Sequence, residues 1–100
     1  MIRHTVLWTL QEHAEGESKA ANAAKMVKAL GGLKEAIPGI IELEVGTNAV
    51  PSADSYDVAL CILFRDEHDL EVYQKHPAHL KAVEFIRKVR DKRAVVDFKI

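Results

Sequence analysis

Residues 56–64, Tyr-Asp-Val-Ala-Leu-Cys-Ile-Leu-Phe, are the most restrictive stretch of the chain. In an extended strand successive side chains point to opposite sides, so Val58, Leu60, Ile62 and Phe64 line one face and Ala59, Cys61 and Leu63 the other. Both faces are apolar. A sheet containing such a strand needs cover on both sides. One hundred residues suit one compact domain, 1–100, with one modest core, so the source of the second cover decides the architecture.

Three further stretches alternate. Ile2, His4, Val6, Trp8 and Leu10 oppose Arg3, Thr5, Leu7 and Thr9; Ile41, Leu43 and Val45 oppose Glu42 and Glu44; Ala94, Val96, Phe98 and Ile100 oppose Val95, Asp97 and Lys99. Two helical regions lie between the strands. Ser18 is placed to cap the first, whose residues Ala23, Met26, Val27, Leu30, Leu33 and Ile37 follow three- and four-residue steps, with Gly31 and Gly32 weakening its last turns and Pro38-Gly39 ending it. Asp66 opens the second region. Pro77 restarts the helix there, because its missing N–H is an orphan in a first turn anyway, and the helix runs to about Arg90. The polar segments 11–17 and 47–55 read as loops.

The order β-α-β-β-α-β predicts an α+β, ferredoxin-like domain: a four-stranded antiparallel sheet with both helical regions on one face. One helical layer covers one side only. Burying about 500 Å² of the other side would contribute on the order of 10 kcal/mol before association costs. The expected partner is a second copy, a homodimer joined sheet face to sheet face.

Lys plus Arg number 14 against 15 Asp plus Glu, a formal charge of −1, so no broad basic field exists to gather nucleic acid. The densest basic run, Arg87 to Arg93, reads as a solvated helix end where cations suit the dipole. Cys61, the single cysteine, is apolar filler. No signal peptide and no 18-residue apolar run is found, so neither a membrane partner nor export is expected and the default location is cytoplasmic. Glycine-rich phosphate loops, G-x-S-x-G and C-x-x-C are missing, and no cofactor is expected. His76-x-x-His79, with Asp69 and Glu71 nearby, has the outline of a two-ligand metal pair, but Pro77 breaks the face and no third histidine follows, so no metal is expected.

The residues with chemical potential are Tyr73, His79 and His4. His79 shares a stripe with Ala82, Val83, Ile86 and Val89 and points inward, as does His4 on the Ile2/Val6/Trp8 face. Such a set can act as acid and base beside a carbonyl, the base taking a proton and a phenol or imidazole stabilising the enolate. It can equally be a satisfied core. His76 reads as a cap beside Pro77, and Asp97 as a sheet-edge charge that pairs with Arg3.

The stretches MIRHTVLWTL, IPGIIELEVGTN, YDVALCILFRDEHDLEVYQKHPAHLK and RAVVDF together resemble the stress-responsive dimeric α/β-barrel (Dabb) family over essentially the whole chain, most specifically in YQKHPAHLK with VVDF following. The resemblance implies two ferredoxin-like protomers joining their sheets into a barrel, with a cavity between each sheet and its own helices. Plant relatives include a heat-stable stress protein and a polyketide cyclase using a histidine and a tyrosine. On matching positions these are His79 and Tyr73, with His4 near the pocket and walls expected from Trp8, Val27, Leu30, Val83 and Ile86. The leading expectation is a stress-response barrel protein binding a small apolar or carbonyl-bearing ligand. The alternative is a cofactor-independent enzyme, polyketide cyclase/isomerase-like or monooxygenase-like, with His79 as base and Tyr73 as acid. A third is a structural or chaperone-like protein with a closed interior.

Overall fold

The alternation of residues 2–10 organises the computed structural model, which describes residues 1–100. In chain order the elements are β1 (Ile2–Leu10), β2 (His13–Ala14), β3 (Glu17–Ser18), α1 (Lys19–Gly31), α2 (Leu33–Ala36), β4 (Ile40–Thr47), β5 (Val58–Phe64), α3 (Glu67–Lys75), α4 (Pro77–Val89) and β6 (Arg90–Lys99). β4-β5-β1-β6 form one antiparallel sheet, the ferredoxin-like order, and β2 and β3 a separate small hairpin. Along β1 every second residue, Ile2 through Leu10, is buried under the helices, while Arg3, Thr5, Leu7 and Thr9 are half-buried on the far side.

The helices start where side chains can satisfy their free N–H groups. Ser18 accepts from the Ala21 N–H at 3.2 Å, Asp66 from Asp69 N–H at 3.0 Å, and His76 Nδ1 from Ala78 N–H at 3.0 Å. α1 turns Ala23, Met26 and Leu30 inward, and α4 turns Ala82, Ile86 and Val89. Burying each large side chain of this kind contributes about 1.5–3 kcal/mol.

Four boundaries differ from the sequence expectation. The first helical region breaks at Gly32 into α1 and α2, the cost of two adjacent glycines exceeding what continued packing returns. β5 starts at Val58 rather than Tyr56, because the Asp57 carboxylate accepts from the Leu10 N–H at 2.7 Å and so terminates the ladder. Residues 13–18 form a hairpin, with Glu15 and Gly16 at φ 52° and 75° in the left-handed turn such short loops need. The last strand begins at Arg90, not Ala94: the Arg87 to Arg93 run is divided between α4 and β6 and is not a helix end throughout.

The helix-free side of the sheet carries Leu7, Ala59, Cys61, Leu63, Val96 and Phe98, the last two 56% and 45% exposed. Leu63 is buried among its neighbours on the sheet, Leu7 and Cys61 are half-buried, and the open area is centred on β6.

Candidate functional site

A cavity of about 310 Å³ lies between the helical side of the sheet and the helices. β1 supplies His4, Val6 and Trp8, β5 supplies Leu60, α1 Leu30, α3 Tyr73, α4 His79, Val83, Ile86 and Arg87, and β6 Arg90 and Arg93. Its inner walls are apolar, with one polar wall where three rings meet.

That wall depends on the break between α3 and α4. Tyr73 and His79 are six residues apart, and on one unbroken helix they would sit about 120° apart around the axis. His76, extended at φ −67° and ψ 136°, ends α3 and caps α4, and Pro77 fits the first turn of the new helix. The reset brings the Tyr73 and His79 rings to a centroid distance of 4.3 Å at 42°. His4 reaches the same place from β1, its ring edge-on to Tyr73 at 5.9 Å. Phe64 backs the tyrosine at 5.2 Å.

The protonation of each ring follows from its surroundings. Burial pushes the Tyr73 phenol well above its ordinary range, against a small opposing effect of the Arg93 cation, so the hydroxyl stays a donor. Burial likewise lowers the His79 pKa, helped by the nearby His4 and Arg93 and opposed by the Gln74 backbone. His79 Nδ1–H donates to the Gln74 carbonyl at 3.1 Å, which leaves Nε2 as a lone-pair acceptor on a neutral ring. His4 Nδ1 donates to the Asp97 carboxylate at 2.5 Å, so its Nε2 is the atom left for other partners. At its ring-lined wall the chamber therefore offers one hydroxyl donor beside an imidazole acceptor against apolar neighbours, an arrangement that matches a carbonyl or enol, while Arg87, Arg90 and Arg93 line the rest of its polar surface.

Of the residues expected from sequence, Tyr73, His79, His4, Trp8, Leu30, Val83 and Ile86 come together at this cavity. Val27 does not. It is half-buried on α1 outside the lining, where Leu30 faces the chamber instead. Asp97 pairs with His4 rather than Arg3, because His4 and Asp97 are direct cross-strand partners and share a face, whereas Arg3 Nη1 lies on the other side against Cys61 Sγ at 3.8 Å. Val6, Leu60, Asp97 and the three arginines were absent from the expected set. The β1–β6 register would have found Asp97, since His4 and Asp97 sit equally far from the pairing of Ile2 with Lys99. His76 serves as a helix cap, and no three His, Cys, Asp or Glu side chains converge as metal ligands would.

The family model for the Stress responsive A/B Barrel Domain matches residues 2–100. Among solved structures, a dimeric ferredoxin-like protein of unknown function from Bacteroides fragilis is 28% identical, with 99% of this chain and 95% of that one covered and a TM-score of 0.88. A dimeric ferredoxin-like protein of unknown function from Thermobifida fusca is 26% identical over 99% of this chain and 90% of its own, at a TM-score of 0.85. A Dabb family protein with a ferredoxin-like fold from Mesorhizobium loti is 26% identical over 99% and 95%, at 0.72. No functionally curated protein matches the chain.

Proposed function

The chain belongs to the stress responsive A/B barrel domain family, and from that membership and the cavity's chemistry we propose that it is a homodimeric binding protein for a small carbonyl-bearing molecule. The observation that carries the proposal is the contact of the Tyr73 and His79 rings, centroids 4.3 Å apart, on one wall of a chamber whose inner walls are apolar, with burial keeping the phenol protonated and favouring the neutral imidazole. A ligand carbonyl accepts from the phenol, and the ligand's apolar body lies against Trp8, Val83 and Ile86. A volume of about 310 Å³ is at the lower end for small-molecule pockets, about 300–1,000 Å³. Fold and family membership alone carry no reaction, so the reading stops at binding.

Dimerisation fits the same picture. The similar proteins from Bacteroides fragilis and Thermobifida fusca are described as dimeric, and the helix-free face here carries Leu7, Val96 and Phe98 without cover from its own chain. A second copy on that face leaves the cavity, on the opposite side of the sheet, open to ligand.

Trp8 is the only tryptophan and lines the cavity, so its fluorescence reports occupancy directly. Titration with an aryl methyl ketone is expected to change Trp8 emission saturably, with affinity falling at least tenfold in Tyr73→Phe and His79→Ala while the dimer persists. Saturable binding undisturbed by both substitutions would overturn the proposal, as would the absence of any binding across aliphatic and aromatic ketones.

A further inference from the structure

Three cations at the solvent end of the cavity take no part in the carbonyl-binding wall. Arg87 lies in the last turn of α4, Arg90 ends that helix and opens β6, and Arg93 follows three residues later. In a regular strand, residues three apart point to opposite faces, so Arg90 and Arg93 would diverge. They do not diverge here. Leu10 pairs with Arg90 and Trp8 with Arg93, so two steps along β1 oppose three along β6, a β-bulge. Trp8 and Leu10 both face the helices, each 4% exposed, and directly paired residues share a face, which brings both arginines to the cavity side. The bulge is held in place by the Lys92 N–H donating to Thr9 Oγ1 at 2.9 Å.

All three arginines line the cavity, and no acidic residue does. None has a carboxylate partner: Asp97 is engaged by His4, Glu15 by Lys88, and the only side-chain hydrogen bond these guanidinium groups make is from Arg90 Nη1 to the Asp91 carbonyl at 3.5 Å. The partial negative charge at the end of α4 accounts for Arg87. It does not account for Arg93, which lies beyond the helix and faces inward by the regular alternation it shares with Val95 and Asp97, the bulge bringing Arg90 to the same face; the charge of Arg93 acts on both Tyr73 and His79. Like charges gathered without counter-ions in a chain of net charge −1 suit an anion delivered by the ligand.

We infer that the ligand is a carbonyl compound that also bears a carboxylate, a small keto acid, with Arg93, Arg90 and Arg87 holding the carboxylate at the cavity's solvent end while the carbonyl reaches Tyr73. The planar guanidinium fork matches a carboxylate in a bidentate pair. A phosphate dianion is the poorer fit, since such groups favour helix N-termini, and this rim contains the C-terminal end of α4. The inference rests on the carbonyl-binding reading and adds the ligand's charge and orientation to it.

The test compares 4-oxo-4-phenylbutanoate with its methyl ester, which keeps the ketone and ring but removes the charge. With Trp8 emission as readout, the acid is expected to bind at least tenfold more tightly than the ester at low salt. That preference should shrink towards one in Arg93→Gln and fall in 0.5 M potassium chloride, while ester affinity changes little. Circular dichroism on Arg93→Gln checks the fold, and Arg87→Gln provides a second variant on the same rim. Equal binding of acid and ester would overturn the inference and leave the carbonyl reading standing, as would a preference that survives both arginine substitutions. Binding of neither compound would overturn both. Inorganic phosphate competing more strongly than benzoate against the acid would also overturn the inference, by assigning the rim to phosphate.

Discussion

Replacing Asp97 by Ala tests how His4 is held. The His4 side chain is 4% exposed and that of Asp97 37%, so the substitution leaves a buried imidazole N–H without its acceptor on a side that water partly reaches. A hydrogen bond to a charged group contributes about 1.5–3 kcal/mol, and a buried donor left unpaired costs about 1–3 kcal/mol. The half-open position of the carboxylate places the expected loss in the lower part of that range, about 1–2 kcal/mol. For a domain of about 60–100 residues each kcal/mol shifts Tm by roughly 4–8 °C, so Asp97→Ala should melt about 4–16 °C lower. Asp97→Asn keeps an oxygen acceptor but loses the charge, and should fall between the two. The assay is thermal unfolding followed by circular dichroism at pH 7 and one fixed protein concentration, because melting of a dimer depends on concentration. Equal Tm for wild type, Asn and Ala would refute the pairing as a stabilising contact. An equal drop for Asn and Ala would refute its charge-assisted character.

Three further outcomes are expected. Because burial favours the neutral form of His79 in the fold, stability should be fully present above the unfolded histidine value of about 6.5 and decline as pH falls below it; His79→Gln should flatten that part of a stability-against-pH profile measured by urea unfolding. Met26→Ala, at a fully buried α1 site, should cost about 2–5 kcal/mol in the same unfolding assay, as expected for a large core side chain cut back in a packed interior. Val96→Asp combined with Phe98→Asp should convert a two-chain species into a single chain by sedimentation velocity at micromolar concentration, whereas an unchanged dimer would place the interface elsewhere than the helix-free face.

Local pattern carried the fold a long way. Period-two alternation located β1, β4 and most of β5, and the doubly apolar β5 was the ground for expecting a second cover beyond one helical layer. Capping residues and Pro77 located the helix starts, because an orphan N–H must be satisfied within a residue or two of the end. The ends failed where tertiary context decides. Arg90 to Arg93 has the composition of a frayed helix end, yet pairing with β1 extends the strand across it. The site was legible as inward-facing rings on periodic elements, Tyr73, His79 and His4. Its remaining parts depended on register: Asp97 is a partner of His4 only once β6 is aligned with β1, and bringing Arg90 to the same face as Arg93 requires a bulge that no propensity announces. Val27 shows the converse limit, since a residue on the apolar stripe of α1 can be packed beside a cavity without lining it.

The most direct measurement is a crystal structure of the protein grown with 4-phenyl-2-butanone. The account predicts the ketone oxygen within about 3.2 Å of Tyr73 Oη, the carbon chain beside His79 and the phenyl ring against Trp8 and Val83. Density for the ketone only on the outer face of the sheet, or inside the cavity with its oxygen turned away from both Tyr73 and His79, would contradict it.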